Sequence, residues 1–407
     1  MIDLLQGVRI LDFTHVHAGP LCTYQLALMG AEVFKVEPPG SGEMFRSNGG
    51  DADMNARRMG ALFVGQNAGK KSIAADLTSR EIQRIIQEKI TPTVDAVVHN
   101  MRPGTPEKLG IGYADLEPHN PRLVYCAISG YGQSGPYADR AAMDHLIQGV
   151  SGMMAITGPT EGPPCRIGYS AADSASAFVA AQALLAGLFR ARATDKGAFL
   201  DVSMLEACIA IQGQTYYNHL VTGRQPMRVG PNPLARIGPT GTFECADGAL
   251  LLVNANNHKL FELACRAIGR EDIFEDPRYH TPQDAAANWE ELRAKFAEIY
   301  MTRPAIEWEE LLCAEGVPAG RVQEMPEIVQ SPQLAYREAI STQKQVAGVD
   351  RDLRFIGAGF QLDGEPTTPT GPPPVLGAHT REVLAAAGVA AEDIERLEEE
   401  GLLEVAN

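Results

Sequence analysis

Apolar and polar positions fall into alternating blocks along the first half of the chain. Val8–Phe13 is short and mostly apolar, which predicts a strand. Gly19 and Pro20 open a helical pattern that lasts to Leu28, and Gly30 stops it. Ala31–Val36 predicts a second strand, and Ser72–Leu77, Ala96–Asn100 and Leu123–Ser129 predict three more. A helical pattern at Ser79–Lys89 lies between the third and fourth of these. Strands separated by helices need right-handed crossovers, so the expected class is α/β with a parallel sheet.

An apolar helical pattern of about five turns follows Asp173, and a shorter one runs from past Asp201 to about Leu220. The texture then changes. The stretch "VTGRQPMRVGPNPLARIGPTG" is rich in Gly, Pro and Arg and predicts a linker. "GTFECADGALLLVNANN" predicts a hairpin with Asp247-Gly248 at its turn. Helical patterns around His258–Ile268, Trp289–Tyr300 and Ile306–Cys313 complete a smaller α+β unit. A second punctuated stretch, "DGEPTTPTGPPPVLG", precedes helical patterns at Thr380–Ala387 and Ala391–Glu399. The expected organisation is a large domain over residues 1–220, a linker at 221–238 and a small domain over 239–329. A second linker at 330–348 then leads back to the large domain over 349–407.

Composition narrows this only a little. Hydrophobic residues are 45% and charged residues 21% of 407, which is ordinary for a globular chain with a sizeable core. The formal charge of -16 argues against a polyanion such as DNA, or an anionic membrane, as partner. A small anionic ligand needs only a few local cations. The seven cysteines are scattered with no C-x-x-C pair, so neither a zinc site nor a disulfide framework is expected. Buried free thiols in a reducing cytosol account for them. Asp3, Arg9 and Asp12 do not suit a secretory signal. The longest apolar run, Ala177–Phe189, is broken by Gln182 and is too short to span a bilayer. A cytoplasmic protein is expected.

Two familiar motifs are approached and missed. The opening strand–turn–helix–strand, with Glu37 after the second strand, has the outline of a dinucleotide site. Its turn, Thr14 to Pro20, lacks G-x-G-x-x-G, so the backbone cannot come close to a pyrophosphate. "GQNAGKKS", Gly65 to Ser72, has the outline of a P-loop. Lys71 stands where Ser or Thr must ligate magnesium, and Val64 occupies the first glycine position. What remains is the pair Lys70 and Lys71, which reads equally as a solvated turn or as a phosphate contact.

Four longer stretches carry a more specific signal. They are "GVRILDFTHVHAGPLCTYQLALMGAEVFKVEPPGSGEMFR", "HNMRPGTPEKLGIGYADLEPHNPRLVYCAISGYGQSGPY", "RIGYSAADSASAFVAAQALLAGLFRARATDKGAFLDVSMLEA" and "VLGAHTREVLAAAGVAAEDIERLEEEGLL". In order and spacing they resemble the class III coenzyme A transferases, the family of formyl-CoA transferase and carnitine CoA-transferase. The resemblance covers nearly the whole chain and is densest in its first half. It implies a Rossmann-like parallel-sheet large domain, a smaller α+β domain, and a homodimer with interlocked subunits. It also implies acyl-CoA and a carboxylic acid as substrates, with no tightly bound cofactor and no metal.

In that family the nucleophile is an aspartate just before a long helix, and here that position is Asp173. The resemblance implies an acyl-aspartyl anhydride followed by an aspartyl-CoA thioester. A free aspartate, with a pKa of about 3.9, is ionised at neutral pH without a base. A helix N-terminus favours the anion further. Taken alone, Asp173 reads first as a helix N-cap worth roughly 1 kcal/mol, and it is the resemblance that makes it the nucleophile. His15 and His17 lie on the loop after the first strand, where open α/β folds bind ligands. The family has CoA or substrate contacts on this loop, with a glutamine at the place of His17 in formyl-CoA transferase. Asn100, Met101 and Arg102 match the start of the family's N-F-R-P-G turn bordering CoA, with Met101 replacing the aromatic. Lys70 and Lys71 are further candidates for the CoA phosphates. Asp144 matches a glutamate near the reacting groups in formyl-CoA transferase, though by its own position it reads first as a helix N-terminal carboxylate.

The α-methylacyl-CoA racemases also resemble much of the chain. Their acid–base pair, a histidine and an aspartate, matches Met143 and Asp173, and Met143 cannot carry a proton. His145 is two residues on, and a helix would turn it to another face. A non-catalytic acyl-CoA-binding protein is the third reading. The donor and acceptor are not legible. The small domain lacks the run of glycines that covers the site in formyl-CoA transferase, which tells against oxalate and formate. A dicarboxylate acceptor would want a second cation, for which Arg166 and Arg102 are candidates.

Overall fold

The computed structural model describes residues 3–230 and 238–406. Six strands form the main sheet: β1 (Arg9–Asp12), β2 (Glu32–Glu37), β3 (Lys71–Ala75), β4 (Ala96–His99), β5 (Val124–Ser129) and β6 (Ala198–Ser203). All are parallel, in the order β3-β2-β1-β4-β5-β6, and Leu403–Glu404 adds a short antiparallel strand outside β3. The chain winds outward from β1 to β3, then returns to place β4 on the other side of β1. Loops leaving β1 and β4 therefore diverge, and a crevice opens at their carboxyl ends.

Successive strand residues face opposite sides of a sheet. Ile10 enters one apolar layer with Leu26, Val98 and Leu184. Leu11 enters the other with Phe34, Val97 and Leu397. A sheet covered on both faces explains why its strands read as unbroken apolar runs. The sequence places the first five strands to within two residues of their ends. It does not predict β6, an edge strand in which exposed Phe199 and Asp201 break the apolar run.

Three helices frame the crevice: α1 (Ala18–Leu28), α2 (Asp144–Val150) and α3 (Ala171–Thr194). At 24 residues α3 outruns the apolar stretch that announces it, and by length and composition it could cross a membrane. Half of its most apolar window is buried, against α1, β5 and β6, so it reads as a core helix. Small residues permit that approach. At Gly187 a Cβ would stand 2.7 Å from a methyl of Val124.

The chain divides into two compact units. One comprises the residues up to Met153, Arg166–Arg224 and Pro332 onward; the other comprises Met154–Cys165 and Gln225–Ser331. The smaller unit has a three-stranded antiparallel sheet, Gly241–Glu244, Leu250–Val253 and Ala319–Arg321. Its separate core includes Phe243, Phe261, Phe296 and Trp308. Two boundaries differ from expectation. Residues 154–165 join the smaller unit, and the stretch 330–348 is not a plain linker. It contains a helix, Pro332–Tyr336, and the first strand of a hairpin, Ile340–Val346 with Arg351–Ile356, within the larger unit. Residues 231–237 of the expected linker at 221–238 lie outside the described residues. Five cysteines are buried free thiols, but Cys165 and Cys313 are exposed, contrary to the expectation that all are buried.

Candidate active site

The loop between β1 and α1 carries His15, Val16 and His17 over the crevice. Val16 has φ of 68°, a left-handed conformation that β-branched residues rarely adopt. Neighbours hold it there. Asn100, just past β4, accepts the His15 N–H at 2.8 Å and donates to the His15 carbonyl at 2.7 Å. Buried Glu43 accepts the Val16 N–H at 3.2 Å. Gly19 lies so close to Thr14 that a Cβ would come within 2.3 Å.

Beneath the loop is a closed cluster of charge. Asp12 accepts from the Thr14 N–H at 2.8 Å, the Thr14 hydroxyl at 2.5 Å, the Thr23 hydroxyl at 2.6 Å and Lys70 at 3.1 Å. Lys70 also donates to the Pro20 carbonyl, and Lys35 donates to the Thr14 carbonyl. All are buried. Burial pushes the Asp12 pKa up, but Lys35, Lys70 and the two hydroxyls outweigh it and hold the carboxyl far below the usual range. Burial pulls Lys70 down to about 8 against the opposing effect of Asp12. The expected phosphate contact is therefore corrected at Lys70, which is a buried counter-ion with its donors engaged. Lys71 sits at the amino end of β3, bridging Glu32 and Glu382 at 2.7 Å each, away from the crevice. Glu37 is closed off as well, paired with Arg46 at 2.6 and 2.8 Å with both side chains fully buried.

At the carboxyl ends of β1, β4 and β5 lies a cavity of about 840 Å³, within the ~300–1,000 Å³ range of small-molecule sites. It brings together His17, Asn100, Met101, Arg102, Asp144 and Asp173. His15 is not among its lining residues, and burial pulls that ring down to a pKa of about 4, leaving it neutral. No group of three or more metal-ligating side chains occurs among the described residues.

Asp173 is not the cap of α3. The cap is Ser170, whose side chain makes no capping bond, and Asp173 stands in the first turn. The orphan N–H groups of Ala172 and Asp173 go instead to Asp144, at 2.8 and 3.1 Å. Asp144 is steadied by Gln148 at 2.7 Å, and fully buried Gln148 also accepts the Ile167 N–H at 2.9 Å. One carboxylate thus takes the helix end and the other is left without it. The Asp173 carboxyl receives no hydrogen bond among the described residues. Burial first, then the charge of Asp144, push its pKa up to about 7. The expectation of an ordinary aspartate, ionised and favoured by the helix end, is corrected accordingly.

His17 approaches from the loop, its Nε2 3.2 Å from the Ser174 hydroxyl. Burial pulls its pKa down, with Asp144 opposing, so the ring is neutral at pH 7. Arg102, Arg140 and Arg166 also line the cavity, and none has a carboxylate partner among the described residues. The expected turning-away of His145 does not occur. Because α2 begins at Asp144, Met143 precedes the helix and both Met143 and His145 line the cavity. Sequence reasoning missed Val16, Glu43, Gln66, Arg140, Gln148 and Ser174. Only Gln148 left a local signal, its spacing of one helical turn from Asp144.

Comparisons with known proteins agree with this architecture. The family description "CoA-transferase family III" matches residues 5–380. The succinyl-CoA:glutarate CoA-transferase of Mus musculus is 32% identical over 93% of this chain and 85% of its own length. The succinyl-CoA–D-citramalate CoA-transferase of Chloroflexus aurantiacus is 33% identical over 93% of each. The succinyl-CoA:mesaconate CoA-transferase of Haloarcula hispanica is 34% identical over 95% of this chain and 96% of its own. Among solved structures, a CAIB/BAIF family protein from Brucella suis superposes with a TM-score of 0.82 at 27% identity, covering 94% of this chain and 99% of that one.

Proposed function

This chain belongs to CoA-transferase family III and is a CoA-transferase, and from that premise we propose that it moves coenzyme A between an acyl-CoA and a carboxylic acid on Asp173. The Asp173 carboxylate attacks the donor thioester and the CoA thiolate leaves, giving an acyl-aspartyl anhydride. The thiolate attacks the aspartyl carbonyl and releases the donor acid, leaving an aspartyl-CoA thioester. The acceptor carboxylate attacks that carbonyl and expels the thiolate. The thiolate then attacks the acceptor carbonyl of the second anhydride, and Asp173 is freed.

One observation carries the reading: a carboxyl without hydrogen bonds among the described residues, its pKa pushed up to about 7, lines a cavity of about 840 Å³. A poorly solvated carboxylate is a better nucleophile, because acylation converts an ill-supported anion into a neutral anhydride. Asp144 keeps the start of α3 in place, and His17 borders the reacting atoms. Asn100 acts by holding the β1 loop, while Met101 and Arg102 border CoA. The printed names of the relatives pair succinyl-CoA with dicarboxylic acids, so we assign a dicarboxylate acceptor, its far carboxylate meeting Arg140 or Arg166.

We further place the protein in the cytoplasm as a homodimer with interlocked subunits. Large apolar side chains left outside the core, such as Phe189 at 77% exposure, support a partner surface. Dissociation into folded monomers in mild denaturant would count against interlocking.

The decisive test is Asp173→Ala with succinyl-CoA and a panel of dicarboxylic acids, read by mass spectrometry. Transfer is expected to vanish, and wild type should accumulate a CoA adduct on Asp173; an active variant rejects the mechanism. His145 at the cavity is the observation that favours racemisation as a second reading. Deuterium wash-in at the α-carbon of a 2-methylacyl-CoA would establish it.

A further inference from the structure

We propose that the same cavity holds a second nucleophile, Ser174 activated by His17, which gives the protein an acyl-CoA hydrolase activity beside transfer. The proposal rests on reading the cavity as a thioester site. His17 Nε2 stands 3.2 Å from the Ser174 hydroxyl, at the outer limit of the contact between a nucleophile and its base, about 2.6–3.2 Å. Both residues line the cavity next to Asp173, so a thioester presented to one carboxyl oxygen is presented to this hydroxyl as well.

A neutral imidazole has one N–H and one bare nitrogen, so its tautomer decides what Ser174 can do. Gln66 is the neighbouring polar group that can bias the tautomer. Its side chain is 8% exposed and lines the cavity, and its Nε2 donates to the Leu62 carbonyl at 3.2 Å. Its Oε1 is buried with no hydrogen-bond partner among the described residues, and the amide lies close to the His17 ring. An unpaired buried oxygen costs about 1–3 kcal/mol. With the proton on Nδ1, Nε2 is bare toward Ser174 and can accept the hydroxyl proton. Gln66, His17 and Ser174 then stand as orienting group, base and nucleophile.

The chemistry closes without another reactant besides water. The Ser174 oxygen attacks the thioester carbonyl as its proton passes to His17 Nε2. The C–S bond breaks, the thiolate takes that proton and departs as free CoA, and an acyl-seryl ester remains. Water attacks the ester as its proton passes to His17. The ester C–O bond breaks, the Ser174 oxygen takes the proton back, and the acid leaves.

The test uses full-length Asp173→Asn with acetyl-CoA and succinyl-CoA as probes and no acceptor acid. Free CoA thiol is followed against an enzyme-free blank, and the protein is analysed by intact mass and peptide mapping. Thiol release above the blank and an acyl group on Ser174 are expected. Adding Ser174→Ala or His17→Gln should lower the release by about a hundredfold or to the blank. Release at the blank rate with no acyl group on Ser174 overturns the proposal and leaves the transferase mechanism standing. Undiminished release from Asp173→Asn/Ser174→Ala overturns it too. The acyl-Ser174 measurement needs no second substitution, so it decides the matter if a double variant misfolds. An Asp173→Asn protein that still passes CoA to an acid overturns the transferase mechanism instead.

Discussion

Asp12 and Asp173 are the same side chain in the same unit, one beneath the loop after β1 and one in the cavity which that loop borders. Burial acts on both to raise the pKa. Asp12 meets two hydroxyls, a backbone N–H and Lys70, and is held far below the usual range. Asp173 meets no donor among the described residues and faces Asp144, and it is pushed up to about 7. The difference is one of supply, since in a low dielectric the available donors decide whether a buried carboxyl is a fixture or a reagent. The donors that could have served Asp173, the N–H groups at the start of α3, are engaged by Asp144.

The sharpest way to break the comparison is to give the two residues each other's expected phenotype. Asp173→Asn should cost CoA transfer a factor of about 10⁴ or more, with no fall in Tm, since its carboxyl receives no hydrogen bond among the described residues. Asp12→Ala should leave Lys70 buried beside a void and destabilise the protein by about 3–5 kcal/mol, read as a fall in Tm. A stable Asp12→Ala protein, or an unfolded Asp173→Asn one, would reverse the assignment of roles.

What the sequence could and could not convey follows the same division. The parallel sheet is legible because strands buried on both faces give unbroken apolar runs. β6 is not, because an edge strand shows solvent on its outer positions. Asp173 is legible as a position, through the motif around it, but its ionisation state is not. That depends on burial in the folded cavity and on Asp144, 29 residues earlier, reaching the first turn of α3. Lys70 misleads for a similar reason. After Gly69 it has the outline of a phosphate loop, whereas its partner Asp12 is 58 residues away. The hairpin at 340–356 is hidden by its polar strand, "ISTQKQV", which presents too few apolar residues to be told from a linker.

A smaller effect of opposite sign tests the comparison through stability. Asp173 has a folded pKa of about 7, against about 3.9 unfolded. Between these values the folded state binds the extra proton, so stability falls as pH rises through that window. The contribution is complete below pH 4 and gone above 7. For Asp12 the folded value is depressed, so its stabilisation is present above the unfolded pKa and lost as pH falls below it. Asp173→Asn should therefore match wild type in urea at pH 4 and exceed it at pH 8, by roughly 2 kcal/mol after allowance for solvent screening. An equal difference at both pH values would mean that Asp173 is not poorly solvated.

The finest probe changes the neighbour rather than the nucleophile. In Asp144→Asn the amide oxygen can still accept the Ala172 and Asp173 N–H groups, so the start of α3 should hold its place while the charge facing Asp173 disappears. Burial, the larger cause of the raised pKa, remains. The Asp173 carboxyl should titrate lower than about 7 but stay above an ordinary aspartate. In kcat/KM against pH, the acid limb should move toward lower pH by about one pH unit. Because the anion is the nucleophile, the variant should gain on wild type at pH 6 and lose that advantage by pH 8, where both are ionised. A limb that stays in place would assign the shift to burial alone. A limb that moves upward would mean that the capping bonds, and not the charge, are what Asp144 contributes.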